Sequence, residues 1–329
     1  MDLKDKKVVV TGAGGFIGSH LAEELVARGA QVKTLVHYNS QNFWGNLEKV
    51  DKKILDRIEV VPGDILDQIF VKAFLKDIDV VFHLAALISI PFSYHAPLLF
   101  FKVNVEGTIN VLQACLENGV QKVVVTSTSE VYGTAQYTPI DEGHQLQGQS
   151  PYSASKIGAE KSAQSYYCSF DLPVTIIRPF NTYGPRQSAR AVIPTIITQA
   201  LVEDEVHLGA LTPIRDITYI HDIADGFIKI AEADASVGEV INIGYGRGYS
   251  IKNIVEELQN LLGKELNIVQ DKSRFRPEKS EVMELVCSYK KAKELLKWSP
   301  KHSLQDGLRL TIEYLRDNLD SYKKELYTI

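Results

Sequence analysis

Thr11-Gly12-Ala13-Gly14-Gly15-Phe16-Ile17-Gly18 follows directly on the β-branched run Lys7 to Thr11 and opens an amphipathic segment, Phe16 to Arg28. A glycine-rich turn between a strand and a helix leaves backbone N–H groups pointing outward. The helix dipole adds partial positive charge at the same place, so such a turn holds a pyrophosphate. Glycine spacing alone is weak evidence, and here it departs by one residue from the common dinucleotide fingerprint. Its position after the first strand carries the expectation that Gly12, Gly15, Phe16, Ile17 and Gly18 touch a dinucleotide.

The same alternation continues downstream. Lys7 to Thr11, Gln31 to Val36, Ile58 to Val61, Val80 to His83, Lys122 to Thr126 and Val174 to Arg178 read as strands. Phe16 to Arg28, Ile65 to Leu75, Phe100 to Asn118 and Tyr152 to Phe170 read as helices. Strand–helix alternation with right-handed crossovers predicts an α/β fold of Rossmann type, a doubly wound parallel sheet. After Pro179 the pattern loosens, with helices expected at Ile193 to Val202, Ile251 to Leu262 and Leu304 to Leu319. Asp216 to Ile220 and Glu239 to Ile243 are expected to return to the large sheet. The domains are therefore drawn as 1–178 with about 214–243 for the dinucleotide, and 179–213 with 244–329 as a smaller, interleaved α/β substrate domain.

The 329 residues are 45% hydrophobic and 23% charged, with a formal charge of −5 and no basic block. That excludes an electrostatic footprint for nucleic acid or an anionic membrane and leaves small molecules as the expected partners. Cys115, Cys168 and Cys287 are odd in number and widely spaced, which predicts neither a disulfide framework nor a metal site. The charged start runs straight into a strand and the longest apolar run is too short to span a bilayer, so a cytoplasmic protein is expected.

His37-Tyr38-Asn39-Ser40 ends the second strand, where an acid on the ribose marks NAD and an arginine marks NADP. Neither is present, and both cofactors stay open, with His37, Asn39 and Ser40 as ribose-side candidates. Asp64, followed by Ile65, is positioned either to accept from an adenine amino group or to cap a helix. Tyr152 and Lys156 lie four apart on one helix face. A phenol with an ordinary value near 10 is a poor base at neutral pH, and a neighbouring ammonium favours its phenolate.

Taken in order, Gly12/Gly15/Gly18, His83-Leu84-Ala85-Ala86, Asn104 to Thr108, Ser127 to Gly133 and Tyr152/Lys156 resemble the extended short-chain dehydrogenase/reductase superfamily from end to end. The resemblance implies an enzyme acting on a nucleotide sugar with a tightly bound NAD or NADP regenerated at each turnover. Leu84, Ala85 and Ala86 then join the cofactor-binding residues. Tyr152 takes the sugar hydroxyl proton, Lys156 binds the nicotinamide ribose, and Thr128 hydrogen-bonds the sugar oxygen. Thr128-Ser129-Glu130 is similar to the triplet of nucleotide-sugar 4,6-dehydratases, in which the carboxylate faces C5; Ser129 stands where the thymidine-nucleotide enzymes carry an acid. Asn181 is expected on the diphosphate, gripped by Arg215 and Arg276, with Arg186 or Arg190 serving equally. Ser89 and Tyr94 are expected at the sugar.

Thr126 to Gln136, Leu146 to Ala159 and Asn181 to Gln199 look like the dehydratases of legionaminic acid synthesis, which implies a GDP- or UDP-linked N-acetylglucosamine. A UDP-glucuronate decarboxylase, a 4-epimerase and a non-catalytic dinucleotide-binding scaffold are the other readings. The resemblance also implies a homodimer through helices 100–118 and 152–170.

Overall fold

The computed structural model describes residues 1–322. Seven parallel strands form the main sheet in the order β3-β2-β1-β4-β5-β6-β10. They are β1 (Lys7–Thr11), β2 (Gln31–His37), β3 (Ile58–Gly63), β4 (Val80–His83), β5 (Lys122–Thr126), β6 (Val174–Pro179) and β10 (Val240–Ile243). Three remaining short strands pair around β9 (Ile214–Tyr219): β7 (Asn181–Tyr183), β11 (Gly248–Ser250) and β13 (Glu284–Leu285). β8 (Glu205–Leu208) and β12 (Asn267–Gln270) form a two-stranded ribbon.

The central strands are β-branched runs because both of their faces are covered. Val8, Val9, Val10, Val80, Val81, Val123 and Val124 are all fully buried. One face is covered by α1 (Phe16–Ala27), α9 (Ile220–Glu232) and α11 (Lys290–Leu296). The other carries α3 (Gln68–Phe74), α6 (Gly107–Asn118) and α7 (Pro151–Phe170). Beyond the carboxyl edge a separate apolar core joins α8 (Val192–Ala200), α10 (Ile251–Leu262) and α12 (Leu304–Asp317) to β8 and β9. The short helices α2 (Lys52–Leu55), α4 (Ile90–His95) and α5 (Pro97–Phe101) complete the elements. Among the described residues no helix is long and apolar enough to cross a membrane.

Two expectations are corrected. Only Glu239 to Ile243 supplies a strand to the large sheet; the segment after Ile214 pairs with β7, β11 and β13 instead. The reason is α9, which the sequence reading missed. Buried along Ile220, Ile223, Ala224, Phe227 and Ile228, it packs on the sheet and leaves β9 in the outer lobe. The expected single helix from Phe100 to Asn118 is interrupted by a π-helical turn at Lys102–Glu106. That extra residue turns Asn104 inward, where its amide donates to Leu87 O at 3.0 Å and Ser155 Oγ at 2.9 Å and accepts from Leu87 N at 2.8 Å.

Candidate active site

A cleft of about 860 Å³ runs along the carboxyl edge of the sheet, where doubly wound sheets bind ligands. At one end the glycine turn forms a cradle. Gly12 has φ of +72°, and a Cβ there would lie 2.7 Å from Ala85 N. A Cβ on Gly18 would lie 2.4 Å from Gly12 O, so helix α1 begins in contact with the turn. Gly12, Gly15, Phe16, Ile17 and Gly18 line the cleft together with Leu84, Ala85 and Ala86. Thr11 Oγ1 fixes the second group by accepting from Leu84 N and Ala85 N, both at 3.1 Å.

His83 is a brace. Thr108 Oγ1 donates to Asn104 O, so it must accept from His83 Nε2 at 3.0 Å. His83 Nδ1 then accepts from Thr11 Oγ1 at 2.9 Å. Burial, with the Lys156 charge adding to it, lowers this imidazole to about 3, as suits a neutral structural residue.

His37 and Asn39 line the cleft next to Phe43, Trp44 and Gly45, three residues the sequence reading did not single out. Asn39 ties this loop shut, donating to Phe43 O at 2.7 Å and accepting from Phe43 N at 3.0 Å. Ser40 is exposed and outside the cleft lining. Asp64 and Ile65 also lie outside it. The Asp64 carboxylate accepts from Leu66 N at 2.9 Å within a turn, whereas the helix cap expected of it is supplied by Asp67, which accepts from Phe70 N at 3.0 Å; Ile65 is buried against Gly107.

In the middle of the cleft, Thr128, Ser129, Glu130, Tyr152 and Lys156 converge. Thr128, two residues beyond β5, caps a short 3-10 turn, accepting from Glu130 N at 3.2 Å. Ser150 and Ser153 form a capping box and Pro151 occupies the first turn of α7, so Tyr152 is held at the helix start and Lys156 one turn on. Burial pushes the Tyr152 phenol up to about 12; Thr128 eases it, the Glu130 carboxylate opposes ionisation, and Arg190 favours it. Arg190, rather than Lys156, is the cation whose charge favours ionisation of the phenol. The Lys156 ammonium instead donates to Thr126 O at 2.6 Å, and burial lowers it to about 8.

At the far end, Ser89, Asn181, Arg190, Arg215 and Arg276 line the cleft, as do Gln187, Arg274 and Glu281. Glu281 Oε1 accepts from Arg215 Nη2 at 3.2 Å and lies 3.6 Å from Arg276 Nη1. Thr126 Oγ1, Asn181 Oδ1, Gln187 Oε1 and Arg276 Nη1 are buried without hydrogen-bond partners, and all four residues line the cleft, a pattern that a polar ligand would satisfy. Arg186 is a correction. It is buried behind the glycine turn, paired with Glu23 and donating to His20, because a left-handed backbone at φ of +68° turns it away from the cleft. Tyr94 also leaves the lining and bonds to Ser280. The sequence reading singled out Arg276 in this segment but missed Arg274 and Glu281, which no local motif marks.

The cradle, the paired tyrosine and lysine and the arginine-lined outer lobe define a Rossmann-fold enzyme of the nucleotide-sugar dehydratase, epimerase and decarboxylase superfamily. Within it the chain belongs to the GDP-mannose 4,6 dehydratase family, whose model matches residues 9–311. It is 34% identical over 324 residues to the UDP-N-acetyl-alpha-D-glucosaminuronate decarboxylase of Bacillus cytotoxicus, covering 95% of this chain and 98% of that protein. The dTDP-glucose 4,6-dehydratase of Streptomyces venezuelae, solved with NAD bound, superposes with a TM-score of 0.87 at 29% identity, over 96% of this chain and 98% of that one. The UDP-glucuronic acid 4-epimerase of Bacillus cereus, solved with UDP-glucuronic acid and NAD, gives 0.86 at 32% identity, over 95% and 99%.

Proposed function

We propose that the protein is a nucleotide-sugar 4,6-dehydratase that converts an N-acetylglucosamine carried on GDP, or on UDP, to its 4-keto-6-deoxy form. The observation that supports this most is Glu130, a carboxylate in the same cleft as Tyr152 and Thr128. The glycine cradle, the Leu84–Ala86 backbone and Lys156 fit a nicotinamide dinucleotide, for which NAD is favoured because the solved relatives carry it; NADP is the alternative. When bound there, such a cofactor would supply reversible hydride acceptance, so that the hydride lost at C4 could be regained at C6. Tyr152 takes the C4 hydroxyl proton while Thr128 holds the oxygen. The C4 ketone acidifies C5, and Glu130 removes that proton and passes it to the departing C6 hydroxyl, so one water leaves. Tyr152 then returns its proton to C5. Asn181, Arg215 and Arg276 bind the diphosphate, two guanidinium forks suiting its oxygens, and Ser89 contacts the sugar.

Substrate deuterated at C4 is expected to yield product carrying the label on C6, read by mass spectrometry together with loss of one water. Stoichiometric release of reduced cofactor would overturn the mechanism. Turnover of GDP- and UDP-N-acetylglucosamine against GDP-mannose and UDP-glucuronate sets the substrate, with the matched nucleotide expected to win by about a hundredfold. The second reading, a uronate decarboxylase, is favoured by the decarboxylase relative and by the Arg190 charge beside Tyr152; release of carbon dioxide from UDP-glucuronate would establish it. We also propose a cytoplasmic homodimer joined through residues 100–118 and 152–170.

A further inference from the structure

We infer that Tyr94 and Ser280 are a positioning pair that fastens the segment 271–281 across the cleft, so that gripping the diphosphate and closing over the sugar become one event. This rests on the proposed nucleotide-sugar reading for its ligand. The Tyr94 hydroxyl and Ser280 Oγ are 2.6 Å apart although 186 positions separate them in sequence. At its start the segment is tied to the outer lobe by Asp271 N donating to Leu208 O at 2.8 Å. Its main chain then presses on Gly209, where a Cβ would lie 2.7 Å from Arg274 O. At its end, besides Ser280, Gln149 Nε2 reaches it from the Rossmann side, at 3.5 Å from Lys279 O. Along the segment Arg274, Arg276 and Glu281 line the cleft while Phe275 is exposed, so it is a strap with a charged inner and an open outer side.

Tyr94 connects this strap to the reaction centre. It stands one turn beyond Ile90 on α4, whose first residues Ile90 and Pro91 line the cleft with Ser89. Its ring packs in the apolar cluster of Ile90, Phe100 and Tyr152. One side chain thus backs the sugar wall and the phenol and also anchors the strap that presents Arg276. Arg276 Nη1 is buried without a hydrogen-bond acceptor, its nearest carboxylate oxygen being 3.6 Å away on Glu281. A diphosphate would complete that group, but only while the strap is held at its Ser280 end.

The test uses the full chain with Tyr94→Phe, Ser280→Ala, the double variant and Ser280→Thr. Calorimetry measures GDP and UDP separately, fluorescence measures NADH, and trypsin probes Lys272, Arg274 and Lys279 with and without nucleotide. Each single loss of a hydroxyl is expected to speed cleavage of the strap in the free protein and to weaken the better nucleotide about fivefold or more. The double variant should be no worse than the poorer single, Ser280→Thr should restore binding, and NADH affinity should hold. Unchanged cleavage, additive losses, or an equal loss of NADH affinity would overturn the pairing. Because every readout is binding or cleavage, absence of dehydratase turnover alongside these results would refute the proposed function and leave the pair standing.

Discussion

Tyr152 and Glu130 share one cleft, and in the proposed mechanism they serve different steps, which makes them separable by substitution. Tyr152→Phe is expected to abolish reduction of the cofactor on mixing with substrate. Glu130→Gln should permit that reduction and stall elimination, cutting turnover by about a hundredfold or more. Normal product formation by Glu130→Gln, followed by stopped-flow absorbance, would remove the carboxylate from the mechanism. Lys156 supplies a pH signature. An exposed lysine keeps its charge to about pH 10, whereas burial brings this one down to about 8. Since the proposed mechanism needs the charged form to bind a ribose, kcat/KM should fall as pH rises through about 8. Lys156→Arg, whose guanidinium does not titrate there, should be slower and lose that alkaline limb.

At the scale of elements, the glycine turn was fully legible, because strand, glycines and helix are contiguous and the short-range geometry follows from them. The helix through Asn104 was not. Periodicity reports an average twist, and a single extra residue in a π turn is invisible to it when a buried polar side chain sets the need. Asn104→Ala removes three hydrogen bonds and strands the partners at Leu87 and Ser155. It is expected to cost about 2 to 4 kcal/mol, measured by urea unfolding, and to loosen the loop that carries Ser89. Asn104→Asp should recover the bond from Leu87 N and part of that stability.

Across the whole molecule, large apolar side chains remain outside on the segments proposed as the dimer face, where Phe101, Ile109, Tyr167 and Phe170 are open to water, and Leu98, 84% exposed, and Leu99 immediately precede the first of them. Leu98→Asp with Phe101→Asp is expected to give a monomer in sedimentation velocity, while a wild-type monomer at micromolar concentration would refute the dimer.

What the sequence determined by itself was the arrangement that is local: a glycine-rich turn after the first strand, a tyrosine and lysine one helical turn apart, and a threonine-to-glutamate triplet just beyond the fifth strand. Each depends on spacings of a few residues, which backbone geometry converts directly into shared faces. Tertiary structure alone decided which distant groups meet. Arg186 was read, on the resemblance, as a substrate ligand interchangeable with Arg190, yet its backbone has a positive φ and its side chain meets His20 and Glu23 on α1. Arg190 came to face Tyr152, Glu281 to hold Arg215, and Tyr94 to meet Ser280, all through packing of the outer lobe on the sheet edge. No local rule fixes such pairs, because burial of charge depends on every segment that closes over it.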